Sequence, residues 1–175
     1  MAAVDYITLL GRVLHDGTQR EIFRTDPLAF VSQSGLRETD RASFLRLSLA
    51  ELETQARVLL CKRFELVRHV LPETCRRLGG DASLEFERYG QTHAPKPNEH
   101  VARDAAGFSE HLRSMRPEKL CVAEANRARF VADRRWLLFS LVPVTPSKRS
   151  ARVAVQVLIR GRCGRWRESL WFFAV

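Results

Sequence analysis

The chain has 175 residues and carries 29 lysines and arginines against 20 aspartates and glutamates, a net charge of +9. With 45% hydrophobic and 28% charged residues it has the composition of a globular protein, which excludes a disordered or fibrous chain. No apolar run reaches the roughly 20 residues of a membrane-spanning helix, and the first residues lack the pattern of a signal peptide. We therefore expect a cytoplasmic protein that does not bind membranes.

Residues 1–134 are predicted to form a helical body. Apolar residues at helical spacing first mark several short helices over residues 4–45. A capping box from Ser48 to Glu51 then opens the longest predicted helix, which Pro72 ends or bends. Further helices are predicted over residues 73–78, 81–90, 104–115 and 117–133.

The hydrophobic period changes from 3.6 to 2 after residue 135, which predicts strands. We expect a basic loop at residues 145–150 and a tight turn at residues 161–164. The predicted fold class is α+β: an N-terminal helical bundle followed by a C-terminal three-stranded antiparallel sheet. Residues 135–175 would be a basic β appendage packed on the helical body. Its strands are predicted over residues 136–142, 152–160 and 165–173.

Both faces of the last predicted strand carry aromatic residues. One face of the sheet should pack on the helices. The other face has more apolar area than a solvated sheet requires, which is typical of a partner site. The residues predicted to dock a partner are Trp166, Trp171 and Phe173.

The positive charge is confined to the last third of the chain. Residues 119–175 hold twelve lysines and arginines against three acids, whereas residues 1–118 hold seventeen of each. A basic hairpin on a neutral body indicates a surface for an acidic partner, and a merely solvated basic face is the alternative. The predicted peptide-binding residues are Arg149, Arg152, Arg160, Arg162, Arg165 and Arg167.

The sequence shows no catalytic constellation. The five histidines are scattered over different elements, and the four cysteines form no CxxC pair. Cys163 lies among arginines, which favour a reactive thiolate, but it has no base partner. We therefore predict a binding module rather than an enzyme, with no catalytic residue, metal ligand or cofactor in this chain.

Two kinds of partner suit the basic hairpin. Arginines interleaved with tryptophans can contact the phosphates and bases of a nucleic acid. An exposed sheet edge can instead take up an extended peptide as an added strand, with arginines selecting acidic side chains. The residues alone leave both interpretations open.

Three segments carry a resemblance to a known family. They are residues 56–79 (ARVLLCKRFELVRHVLPETCRRLG), the FERY motif at residues 86–89, and AGFSEHL at residues 106–112. A helix over residues 118–133 that leads into strands follows them. This order resembles the small partner subunits of multinuclear iron-dependent oxidative enzymes, the HvfC, MbnC and TglI type. The TglI-like subunit of 3-thiaglutamate biosynthesis is the member that we consider first.

The resemblance implies a division of labour within a heterodimer. A TIM-barrel subunit would hold the iron and modify a cysteine of a ribosomally synthesised precursor peptide. The small subunit would dock on the barrel and bind the leader of that peptide through a sheet similar to a RiPP recognition element. On this interpretation nucleic acid is not the partner. We expect the leader to add as a strand beside residues 152–160 or 136–142.

Overall fold

The structure, a computed structural model, describes residues 4–95, 101–143, 151–161 and 164–174, and for residues 151, 152, 173 and 174 it describes the backbone alone. Helices precede a three-stranded antiparallel sheet, which confirms the predicted α+β class. In these ranges no helix combines the length and apolar character needed to cross a membrane.

Up to residue 92 the helices follow one another with short connections. Two 3-10 turns, Gly79–Asp81 and Pro117–Lys119, interrupt the series. The helices are α1 (Tyr6–His15), α2 (Gly17–Thr25), α3 (Pro27–Gln33), α4 (Glu38–Leu45), α5 (Leu49–Val70), α6 (Pro72–Leu78), α7 (Ala82–Thr92), α8 (Val101–Met115) and α9 (Val122–Ala132).

Short polar side chains begin several of these helices. Asp16 caps α2 by accepting hydrogen bonds from the backbone N–H groups of Thr18 (2.8 Å) and Gln19 (3.3 Å). Thr18, which is also a capping residue by type, lies inside the first turn of α2. Pro72 begins α6 directly after α5, which confirms the predicted break in the long helix.

The chain forms two compact units. One comprises Met1–Glu65 and Ser83–Pro97, and the other comprises Leu66–Ala82 and Asn98–Val175. The strands thus belong to a unit that also contains α6, α8 and α9. The predicted boundary between residues 134 and 135 stays a prediction.

Aromatic rings form the core of the first unit. The ring of Phe23 meets those of Phe30 and Phe44 edge-on, each at a centroid distance of 5.5 Å. Tyr6 packs on Phe44 at 5.4 Å. Aliphatic side chains complete this buried cluster, namely Leu9, Val13, Val31, Leu36 and Leu52.

Helices α2 and α7 approach each other closely at Gly17. A Cβ atom at this position would lie 2.9 Å from the backbone oxygen of Gln91, too near for a carbon atom. We expect Gly17→Ala to lower the free energy of unfolding by about 1–3 kcal/mol. Gly11→Ala in α1 is the matched control, because a Cβ there meets no atom within 4 Å. It should raise stability by roughly 0.5–1 kcal/mol. Equal urea midpoints for the two variants would contradict the close approach.

In the second unit a carboxylate from α9 caps α6. Glu124 is 3% exposed and accepts the backbone N–H groups of Glu73 (2.7 Å) and Thr74 (2.8 Å) and the Thr74 hydroxyl (2.9 Å). The same hydroxyl oxygen accepts the N–H of Cys121 (3.1 Å). The start of α6 is thus held against α9 by buried, charge-assisted hydrogen bonds.

The sheet consists of β1 (Leu137–Pro143), β2 (Ala151–Arg160) and β3 (Trp166–Ala174) in the order β1-β2-β3. Both neighbouring pairs are antiparallel, which confirms the predicted meander. Because β2 is the central strand, it is hydrogen-bonded on both sides. The expectation that a leader could add beside residues 152–160 is therefore wrong, and the open edges belong to β1 and β3.

Candidate functional site

One face of the sheet, here called the inner face, packs on α9. Ala154, Gln156 and Leu158 of β2 are almost completely buried on this face, and Val142 of β1 is buried beside them. The contacts of α9 with the sheet fall mainly on β1 and β2. Val153, Val155 and Val157 alternate with these buried residues and lie on the opposite face of β2.

A chain of polar contacts attaches β2 and β3 to α9. The amide nitrogen of Gln156 donates to the backbone oxygen of Ala123 (3.0 Å) and to a Glu168 carboxylate oxygen (2.7 Å). Its amide oxygen accepts from Asn126 (2.9 Å), and Arg127 lies 3.1 Å from the second Glu168 oxygen. Glu168 is the one acid in residues 135–175, and its charge is compensated from within the unit.

The opposite face, here called the outer face, is largely apolar. The register aligns its residues in rows across the three strands. Phe139 is 66% exposed, Leu141 69% and Trp171 63%. The rows are Leu137–Ile159–Arg167, Phe139–Val157–Ser169, Leu141–Val155–Trp171 and Pro143–Val153–Phe173.

Phe139 and Leu141 were not among the predicted docking residues. Their position follows from alternation, since residues 137, 139 and 141 must share the face of β1 that points away from Val142. The sequence therefore contained this signal, although the continuous apolar run of β1 obscured which residues would be exposed.

The predicted docking residues do not share one face. Trp171 lies on the outer face, and so does the backbone position of Phe173, whose side chain is not described. Trp166 is paired with Arg160 and belongs to the inner face, where it is 40% exposed. Their role in docking stays a prediction.

Strand β3 is exposed on both of its faces. Leu170 and Phe172 belong to the inner face but remain 42% and 62% exposed. The reason is that α9 covers mainly β1 and β2. Leu170 and Phe172 on the inner face and Trp171 on the outer face are thus exposed side chains of an edge strand.

The hydrogen-bond pattern shows which backbone groups of β3 face the open edge. The N–H of Gly161 donates to the oxygen of Arg165 (2.8 Å), so these two residues form a hydrogen-bonded pair. Such pairs alternate with non-hydrogen-bonded pairs along an antiparallel ladder. The alternation directs the backbone N–H and C=O groups of four residues towards the open edge, namely Trp166, Glu168, Leu170 and Phe172.

The six predicted peptide-binding arginines have different environments. Arg165 and Arg167 are exposed, and in the described ranges no hydrogen bond or ion pair engages either guanidinium. Arg160 is instead placed over the ring of Phe130 (5.5 Å) and donates to the Phe130 backbone oxygen (3.4 Å) near the end of α9. Peptide binding by Arg160 and by the other five arginines stays a prediction. Arg149 and Arg162 lie outside the described residues, and of Arg152 the backbone alone is described.

More positive charge lies at the same end of the sheet. The chain enters β1 through Arg134 and Arg135, and the N–H of Arg160 donates to the backbone oxygen of Trp136 (2.8 Å). Arg135 is paired with Asp133 (3.4 Å). The end of the sheet formed by the start of β1, the end of β2 and the start of β3 is therefore basic and carries two exposed tryptophans, Trp136 and Trp166.

In the described part of the chain, no three His, Cys, Asp or Glu side chains are grouped to hold a metal ion. Among the described residues, Cys61, Cys75 and Cys121 form no disulfide bond. His100 and Cys163 lie outside the described residues.

The first unit contains an open cavity of about 500 Å³ between α2, α5 and α7. Arg20 in its wall donates to the backbone oxygens of Val13 (3.0 Å) and Leu14 (2.8 Å). Burial lowers the pKa of Arg20, while the charges of Asp16 and Glu53 oppose this shift. Cations and anions are equal in number here, so the cavity has no bias towards an anionic ligand. Its charged residues are Arg20, Arg24, Arg57, Glu21, Glu53 and Glu87.

Comparison with protein families gives a partial match. The family described as SCO6045-like, C-terminal domain, matches residues 48–114, which span α5 to α8 and exclude the sheet. This match supplies a family name and no link to partner subunits of iron-dependent enzymes, so that resemblance stays a prediction. Comparisons with curated proteins and with solved structures found no match.

Proposed function

We propose that this chain is a non-catalytic partner subunit that docks on an iron-dependent TIM-barrel oxidative enzyme. In this role it binds the leader of a ribosomally synthesised peptide whose cysteine the barrel modifies. The iron and the chemistry belong to the barrel, and this chain supplies recognition.

The observation that carries the proposal is the open edge of β3. Four residues of this strand direct their backbone groups outward, where no described part of the chain pairs with them, and strand addition requires this arrangement. Apolar side chains flank the edge on both faces. Arg165 directly precedes the strand and Arg167 is its second residue, and neither guanidinium is paired within the described residues. An extended acidic segment suits this surface in both backbone pairing and charge.

The outer face supports the docking part of the proposal. Soluble monomers seldom expose a contiguous apolar patch of this kind, and such patches mark interaction sites. The face is continuous over three strands, and Arg167 is the one charged residue in its rows. A partner that covers it would bury Phe139, Leu141 and Trp171 together.

Co-expression with the proteins encoded beside this chain tests the docking. We expect the tagged chain to retain a larger subunit, with iron in that subunit. The double variant Phe139→Ser/Leu141→Ser should weaken retention by about 100-fold, since two buried anchor residues are lost. Ile7→Ser is the matched control, because Ile7 is equally apolar and 73% exposed but lies on α1. It should leave retention unchanged.

Two results would contradict this proposal. One is stoichiometric iron bound by the isolated chain. The other is full retention of the larger subunit by the double variant.

A nucleic-acid partner is the second candidate function, and the exposed Trp136 and Trp166 beside arginines favour it. The logarithm of the association constant for single-stranded DNA would then fall steeply and linearly with the logarithm of the salt concentration. Peptide addition to a backbone edge depends far less on salt. Measuring the affinity for an oligonucleotide and for a leader peptide at two salt concentrations separates these functions.

A further inference from the structure

The charge of β3 is unevenly distributed along the strand. Arg165 directly precedes the strand and Arg167 is its second residue, whereas Leu170, Trp171 and Phe172 lie towards its end. Glu168 follows Arg167 and lies on the inner face, where it forms an ion pair with Arg127 at 3.1 Å. An incoming strand therefore meets a cationic half and an apolar half.

The spacing between the two halves is fixed by the strand geometry. Arg167 and Trp171 share the outer face and are four residues apart, which corresponds to about 13 Å along a strand. Leu170 and Phe172 are exposed on the inner face and flank Trp171 in sequence. The apolar half of β3 can thus contact side chains of an added strand on both faces of the sheet. Arg167 can contact them on the outer face alone.

We infer that β3 selects a peptide of defined polarity: three consecutive apolar residues followed by acidic residues. This inference rests on the proposed function, in which a peptide adds to this edge. The first acidic residue should stand four positions after the central apolar residue, and a second should stand two positions further on.

The order of these residues follows from antiparallel pairing, which the rest of the sheet uses and which is the more stable arrangement. A peptide running against β3 places its earlier residues beside Phe172, Trp171 and Leu170. Its later residues then reach Arg167 and Arg165. The residue beside Glu168 should not be acidic.

Two synthetic peptides of identical composition test the inference. The forward peptide has leucines at positions 1–3, aspartates at positions 6 and 8, and serine or threonine elsewhere. The reversed peptide has the same residues in the opposite order. We expect the full-length chain to bind the forward peptide about tenfold more tightly, because the reversed peptide cannot match both halves in antiparallel pairing.

A charge exchange identifies the residue responsible. Arg167→Glu should weaken binding of the forward peptide about fivefold, and a forward peptide with lysine at position 6 should restore it. Arg113→Glu on α8 is the control, because this exposed arginine lies outside the sheet. It should leave binding unchanged.

The outcomes distinguish this inference from the proposed function. Equal binding of forward and reversed peptides, or binding of neither, overturns the inferred polarity. The proposed function is decided separately, by retention of the larger subunit. A chain that retains that subunit but binds both peptides equally would keep its function and lose this selectivity.

Discussion

Replacing Glu124 by alanine is expected to lower the free energy of unfolding by about 3–4 kcal/mol. The buried carboxylate accepts three hydrogen bonds at 2.7–2.9 Å from the first turn of α6. Its removal leaves those donors without a partner in the interior, where an unsatisfied polar group is costly. Urea unfolding followed by circular dichroism measures the effect.

Two further variants define the cause. Glu124→Gln keeps the size of the side chain but replaces one acceptor with an N–H₂ group, so it should destabilise nearly as much as alanine. Glu118→Ala removes a glutamate that is 63% exposed, and it should change stability by less than about 0.5 kcal/mol. A loss below about 1 kcal/mol for Glu124→Ala would refute the capping role of this carboxylate.

Replacing Leu170 by proline is expected to weaken binding of the forward peptide by 50-fold or more. The N–H of Leu170 points to the open edge, so proline removes a donor to the incoming strand and spares the pairing with β2. Loss of one backbone bond, and the clash of the proline ring with an added strand, together account for an effect of this size. Fluorescence anisotropy with the labelled peptide measures the affinity.

Leu170→Ala is the matched control, because it removes the same side chain and keeps the N–H group. It should weaken binding only about threefold, and both variants should unfold at similar urea concentrations. Equal affinities for the proline and alanine variants would show that the peptide does not pair with this edge.

The sequence was sufficient for the fold class because the two hydrophobic periods are well separated along the chain. Pro72 marks the end of α5, and the short connection between the last strands makes a meander the simplest arrangement. Caps were harder to predict, since Asp16 and Thr18 are both good capping residues and local sequence does not choose between them.

Features that depend on distant contacts could not be predicted. Glu124 meets Thr74 across fifty positions of sequence, and no local pattern announces that pairing. Strand β3 has apolar residues on both faces, a pattern that is typical of a buried strand. Its side chains are exposed because α9 packs mainly on β1 and β2. The strand order also depends on distant contacts. Because β2 is the central strand, it excludes the expected addition of a leader beside residues 152–160.

Because α9 leaves β3 uncovered, the core places few constraints on that strand. Substitutions at residues 165, 167, 170 and 172 can alter what the edge recognises at little cost in folding, whereas changes at Gln156 or Leu158 cannot. Under the proposed strand addition, stability and selectivity would be encoded by separate sets of residues. Such a separation would let a lineage exchange one ligand for another by surface mutation alone, and it would make this strand a suitable position for engineering a peptide preference.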